Sequence, residues 1–281
     1  MSVRGGIDLH THSSRSDGTE APAALVRAAA AAGLAVVALT DHDTWDGLDE
    51  AEGAAAAIGL GFVRGVELSC EHHGHSVHLL GYGGDPGDPG LVSETARIRA
   101  GRTGRIPAIL RRLAALGMPL TEAEVARQAR DTPSVGRPHV ADALVAAGYV
   151  ADRDEAFAKY LAEGGPAYVD RYAPDVFEGV RLLRAAGAVP VLAHPWGRDS
   201  KRVLPLEVLV ALLEAGAAGW EVDHVEHDPE ERRVLRDLAT SRGALITGSS
   251  DYHGTGKTRN PLGCEVTDPA SYARLRELMG G

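Results

Sequence analysis

The sequence predicts an α/β protein: a closed barrel of seven mostly parallel strands, helices outside it, and a small helical insertion. Short apolar runs alternate with Ala/Leu/Arg-rich helical stretches, the pattern of a mostly parallel sheet covered by helices. Seven such runs without a dinucleotide-binding fingerprint suit a closed barrel better than an open doubly wound sheet. In such barrels function sits at the C-terminal ends of the strands, and here histidines and carboxylates fall at those ends.

The first run, 7–10, opens 7-IDLHTHSSRSDG-18. Side chains at alternate strand positions share a face, so His10 and His12 can serve one ion, and Asp17 returns to the same mouth in a Ser/Gly-rich turn. A helical stretch at 21–32 leads to the run 35–40, which ends in 40-TDHD-43. The run 61–69 carries 66-VELSCE-71 and the run 76–82 carries 77-VHLLGY-82. The run 189–193 ends in 192-LAHP-195, a helix follows at 206–215, then a strand at 219–222, and the run 244–248 leads into 249-SSDYHG-254. Imidazole mixed with carboxylate suits borderline-hard divalent ions such as zinc, manganese or iron. Scatter would place histidines on helices as readily, and His139 is the main one there.

Between residues 86 and 174 the rhythm changes. Polar helical stretches at 94–116, 121–129, 140–147 and 153–161 occur without strands between them. They read as a helical insertion (86–174) hung on a barrel made of 1–85 and 175–281, with 83-GGDPGDPG-90 as its entry hinge. Other histidines are expected to do less. His72, His73 and His75 fall in a turn and are expected to be solvated. His224 and His227 follow the sixth run, where they could touch substrate or simply face water. Glu221 could be a mouth residue and has no assignment.

The net charge of −10 argues against broad adhesion to nucleic acid or anionic membrane. A small phosphate ligand remains compatible, because bound divalent cations make a site locally positive. Cys70 and Cys264 are too few for a disulfide framework, so a reducing cytoplasm is the expected compartment. No run is long and apolar enough to span a membrane, and MSVRGGIDL lacks a signal-peptide apolar region.

DLHTH, the Asp-Gly at 17–18, TDHD, GVELS, VHLLGY, LAHP and SSDYHG occur in one order along nearly the whole chain. That ordered set resembles the polymerase and histidinol phosphatase (PHP) domain family. The resemblance implies a distorted seven-stranded (β/α) barrel with two or three divalent ions (Mn, Fe or Zn) at its C-terminal mouth, and phosphoester hydrolysis as its chemistry. It implies His10, His12, Glu67 and Asp251 around a first ion. Glu67 would bridge to a second ion completed by His78 and His194, and Asp17, His42 and His253 would hold a third. Asp8, Asp41 and Asp43 are expected to fix neighbouring groups instead. The loop 134-SVGRPHVA-141 resembles the substrate loop of the branch that hydrolyses nucleotides: Arg137 could clamp a phosphate bidentately, and His139 could assist binding or donate a proton. Arg198 and Lys257 are weaker basic candidates.

The expected substrate is a small nucleotide, foremost a nucleoside 3′,5′-bisphosphate losing its 3′-phosphate, with 5′-end trimming of short RNA as a further activity. AMP-type 5′-nucleotides and histidinol phosphate are the alternatives. A non-catalytic accessory domain would require missing ligands or a fused polymerase. An amidohydrolase would require a carboxylated lysine after a strand, and Lys159, Lys201 and Lys257 are not so placed.

Overall fold

The computed structural model describes residues 5–280; the side chains of Arg198 and Asp199 lie outside the described residues. Seven strands form one sheet in sequence order: β1 (Gly6–Asp8), β2 (Leu34–Leu39), β3 (Gly61–His72), β4 (His75–Gly83), β5 (Ala188–Leu192), β6 (Gly219–Asp223) and β7 (Leu245–Gly248). Six of the ladder's strands run parallel to a neighbour as expected, but β4 is antiparallel to both β3 and β5. The cause is a tight hairpin: His73 and Gly74 both have positive φ (50° and 80°), the backbone of a two-residue loop that suits strand twist. The beginning of β4 therefore lies at the mouth where the other strands end.

The strands wrap around a shared interior. One apolar cluster draws alternate residues from six strands and their ends: Ile7 and Leu9, Val36 and Ala38, Val63, Leu80 and Tyr82, Val189, Val191 and Ala193, and Leu245. Period-two alternation sends their neighbours outward, where Val66, Leu68, Val77 and Leu79 join a second cluster with the outer helices. No strand ladder links β7 to β1; they meet past their ends, where Thr11 pairs with Tyr252 and the Thr267 N–H donates to the Ile7 carbonyl (2.8 Å).

Outside the sheet, α1 (Pro22–Ala31) and α2 (Leu48–Ile58) cover β2, and α8 (Val176–Ala185), α9 (Leu206–Ala215), α10 (Pro229–Arg242) and α11 (Pro269–Leu278) cover the rest. Between β4 and α8 come α3 (Pro89–Gly104), α4 (Ile106–Ala115), α5 (Glu122–Ala129), α6 (Arg137–Ala146) and α7 (Arg153–Ala156), which continues into a π-helical turn, Phe157–Leu161. Leu91 and Ile98 of α3 pack into the barrel's outer cluster. Residues from Ile106 to Ala167, by contrast, form an apolar core of their own. No helix among the described residues is long and apolar enough to cross a membrane, and both cysteines are free.

Candidate active site

Glu67 and His78 lie within the β3–β4 ladder, while the other ligands follow strand ends, where single backbone rungs carry the order further. His42 bridges Glu67, with the Asp43 N–H donating to the Glu67 carbonyl (3.1 Å). The Ala193 N–H donates to the His78 carbonyl (3.1 Å), which brings His194 beside His78, and the His12 N–H donates to the Tyr252 carbonyl (2.8 Å), between Asp251 and His253. Asp17 is held in by close packing of its turn: a Cβ on Gly18 would lie 2.1 Å from the His12 carbonyl oxygen, so only glycine fits there. Asp43, His194 and Asp251 all take positive φ (56°, 29° and 52°), unfavourable backbone of the kind concentrated at functional sites.

All nine expected ligand residues come together, buried, at one mouth. The Nε2 atoms of His10 and His12 stand 3.0 Å apart, at 3.2 and 3.1 Å from Glu67 Oε2 and 3.6 and 3.4 Å from Asp251 Oδ1. The other oxygen, Oε1, lies 2.8 Å from His78 Nδ1 and 3.3 Å from His194 Nε2. Asp17 faces His253 Nε2 (3.2 Å) and His42 Nε2 (3.7 Å), while His42 Nδ1 lies 3.0 Å from Glu67 Oε2. Three overlapping groups could each hold an ion: His10, His12 and Glu67; His42, Glu67 and His78; and His12, Asp17, His42 and His253.

The donor set fits a cation. Burial alone would raise the Glu67 carboxyl, but His42, His78 and His10 hold it well below the carboxylate range. Burial is likewise outweighed at Asp17 by His253 and His42, and at Asp251 by Lys257 and His253. Burial drives His42 well below its ordinary value and His253 down to about 4, with Lys257 adding to the effect at His253. His42 and His253 are thus unprotonated beside ionised carboxylates. At His10 and His12 burial is outweighed by Glu221 and Glu67 and by Asp251 and Glu67, which raise His12 to about 9, so these two give up protons when an ion binds. Nε2 atoms of two histidines aimed at one carboxylate oxygen cannot all be joined by hydrogens, whereas a divalent ion accepts every lone pair.

The three neighbouring aspartates tie the scaffold. Asp8 accepts from the Ser250 and Gly263 N–H groups (3.0 and 2.9 Å), and Asp41 accepts from the Ser13 N–H and hydroxyl (2.8 and 2.6 Å). Asp43 accepts from the Ser69 N–H (2.7 Å) and forms an ion pair with Arg102 (Nε to Oδ2, 2.9 Å).

Above the histidines opens a cleft of about 600 Å³, bordered by His42, His78, His194 and His253 on the barrel side. Across it stand Arg102, Arg105, Arg137 and Arg171, of which the sequence pattern pointed to Arg137 alone. Arg105 is 6% exposed and donates to the Val169 carbonyl (3.1 Å), leaving its Nε without a partner. Burial, then Arg137, Arg171 and Arg102, press its proton affinity down. A guanidinium nonetheless stays charged at neutral pH, so Arg105 is a buried cation with an N–H open to an acceptor. Arg137 donates to the Leu161 carbonyl (2.8 Å) and lies over Phe157 and Tyr168. His139 is not among the cleft-lining side chains: its Nδ1 accepts from the Gly136 N–H (3.0 Å) at the start of α6.

The insertion is bolted to the barrel mouth by Arg153. It grips Asp142 bidentately (2.6 Å each) and donates to the Asp17 carbonyl (2.8 Å). Other expectations need correction. His72 is buried and pairs with Asp175 (3.2 Å), because β3 extends to it. His224 and His227 are buried too, and His227 is engaged by the Val222 carbonyl and the Trp196 N–H (3.0 and 3.2 Å). Lys257 lines the cleft and pairs with Asp251. The Arg198 side chain lies outside the described residues.

The PHP domain family profile matches residues 8–121. A 3′,5′-nucleoside bisphosphate phosphatase of Chromobacterium violaceum is 35% identical over 273 residues, 97% of this chain and 96% of that protein. The chain belongs to the PHP domain family. A 5′-3′ exoribonuclease of Haemophilus influenzae is 32% identical, over 88% of this chain and 89% of that protein. A solved structure from Bifidobacterium adolescentis, assigned as a metal-dependent phosphoesterase, superposes with a TM-score of 0.93 at 37% identity, covering 98% of this chain and 96% of its own.

Proposed function

We propose that this PHP-family phosphoesterase removes the 3′-phosphate from a nucleoside 3′,5′-bisphosphate. The observation that carries the reading is the four-arginine wall facing the histidine–carboxylate cluster across one cleft. A monoester substrate needs one anion-binding pole, and this cleft has two. Two divalent ions would lie at Glu67, one with His10, His12 and Asp251 and one with His78 and His194, and a third with Asp17, His42 and His253. Manganese, iron and zinc all accept these donors. When bound, such ions neutralise phosphoryl charge and lower the pKa of water toward ~7.

This chain's own residues then do the positioning. The reacting phosphate sits against the His42, His78, His194 and His253 side of the cleft. The other phosphate is held by Arg105 and Arg137, with Arg102 between the poles, and Lys257 is the cation nearest Asp251. Water adds to phosphorus and the P–O3′ bond breaks, releasing inorganic phosphate and a nucleoside 5′-monophosphate. Residues 86–174 act as a roof over the ions, leaving room for a nucleotide or two. A cytoplasmic setting accords with two free cysteines.

The test is metal analysis of purified protein followed by kcat/KM on a 3′,5′-bisphosphate, a 5′-monophosphate, histidinol phosphate and a 5′-phosphorylated RNA oligomer. The bisphosphate is expected to lead. A wide lead for histidinol phosphate overturns the nucleotide reading, and a lead for the oligomer overturns the roof.

A further inference from the structure

Among the seven strands, β6 is the one whose end supplies none of the nine proposed ligands. Its central residue is Glu221, fully buried beneath the cluster. Both Glu221 oxygens lie 3.2 Å from His10 Nδ1. Its Oε2 also accepts the main-chain N–H of His194 (2.9 Å), and Ser249 donates its hydroxyl to Oε1. One carboxylate thus touches His10, on the first proposed ion, and the backbone of His194, on the second.

We infer that Glu221 is a positioning residue for both ions: it fixes the proton of His10 on Nδ1 and holds His194 in its left-handed turn. The inference rests on the metal reading above. With the proton on Nδ1, His10 Nε2 presents a lone pair to the point where His12 Nε2 and Glu67 Oε2 converge, 3.0 and 3.2 Å away. A carboxylate also raises the basicity of the imidazole it binds. The second contact acts on backbone. His194 stands at φ 29°, sparsely populated for any side-chain-bearing residue, and the accepted N–H keeps its ring turned toward Glu67 Oε1.

Glutamine at 221 has the right shape but only one accepting oxygen and no charge, so in either orientation an amide N–H takes a place 3.2 Å from His10 Nδ1. The hold on the His10 proton is weakened whichever way the amide turns. The experiment compares metal-stripped wild type, Glu221→Gln and Glu67→Ala by calorimetric titration with Mn²⁺, with bound metal counted after dialysis and thermal melts of the metal-free forms. Glu221→Gln is expected to bind Mn²⁺ roughly 10- to 100-fold more weakly, with turnover recovering as Mn²⁺ is raised. Turnover of Glu67→Ala is not expected to recover. Should Glu221→Gln fail to fold, Glu221→Asp keeps the charge, shortens the reach and is expected to weaken binding in the same direction. Wild-type protein that binds no ion overturns the metal reading and this inference with it. Wild-type binding with unchanged affinity in the folded Glu221 variant overturns this inference alone.

Discussion

The two walls of the cleft are built from opposite charges and by opposite means. On the barrel side, donors stand within strands β3 and β4 or in the segments just past strand ends, several held by single backbone rungs, and each carboxylate is matched to imidazoles. On the insertion side, Arg105, Arg137 and Arg171 come from helices and connecting segments, and Arg105 and Arg171 are buried with other guanidiniums lowering their proton affinity. A wall of buried imidazoles and carboxylates suits cations, and a wall rich in guanidiniums suits an anion. On the proposed function, the first wall acts on the phosphate being cleaved and the second holds the phosphate that stays.

The largest effect should come from breaking the matched wall at its centre. Glu67 is within 3.3 Å of His10, His12, His42, His78 and His194. Glu67→Ala is expected to lower kcat/KM on every phosphate substrate by more than the roughly 10–100-fold typical of losing an outer-shell partner. The fold should survive, because the interior from Ile7 to Leu245 is apolar and independent of the site. Near-normal turnover with metal content verified would rule out a site centred on Glu67. Chelation should abolish turnover in the same way, with Mn²⁺ restoring it, and added Mn²⁺ should raise the melting temperature of the stripped protein, since a ligand that binds only the folded state stabilises it.

A smaller and more selective effect should follow on the other wall. A hydrogen bond to a charged group contributes about 1.5–3 kcal/mol, so Arg137→Ala is expected to cost roughly 10- to 150-fold in kcat/KM on the bisphosphate. A monophosphate or an aryl phosphate should lose far less. Equal losses on all substrates would move Arg137 to the reacting phosphate and collapse the division between the walls. No loss on any substrate would leave it a spectator stacked on Phe157 and Tyr168.

The first wall was legible in the sequence and the second was not, for a physical reason. A strand is a local object with period two, so His10 and His12 declare a shared face, and six strand ends declare a common mouth. The antiparallel course of β4 was hidden because the apolar runs stopped short of His72 and resumed past His75, concealing a two-residue hairpin turn. Glu221 lay in a run that reads as an ordinary buried strand, and its role depends on His10 and His194, 211 and 27 residues away. Arg102, Arg105 and Arg171 sit in polar stretches that look solvent-facing along the chain. Only packing of α3 on the barrel, and of the insertion on its own core, turns them toward one another.

The smallest expected effect concerns His139, which the substrate-loop resemblance offered as a proton donor beside Arg137. In the structure its Nδ1 accepts from the Gly136 N–H, satisfying one of the orphan donors at the start of α6. Burial lowers its pKa, with Asp17 opposing and Arg153 assisting that shift, so the imidazole is neutral near pH 7 and is a poor acid there. His139→Ala should therefore cost about 0.5–2 kcal/mol of stability, the usual worth of a helix N-terminal cap, while kcat on the bisphosphate stays near wild type. His139→Asn, whose side-chain oxygen can accept the same N–H, should recover part of the stability. The check is a pair of thermal melts beside a pH–rate profile. If the basic limb of that profile disappears in both variants while stability is unchanged, His139 is a proton donor and the division of labour between the two walls must be redrawn with an acid on the insertion side.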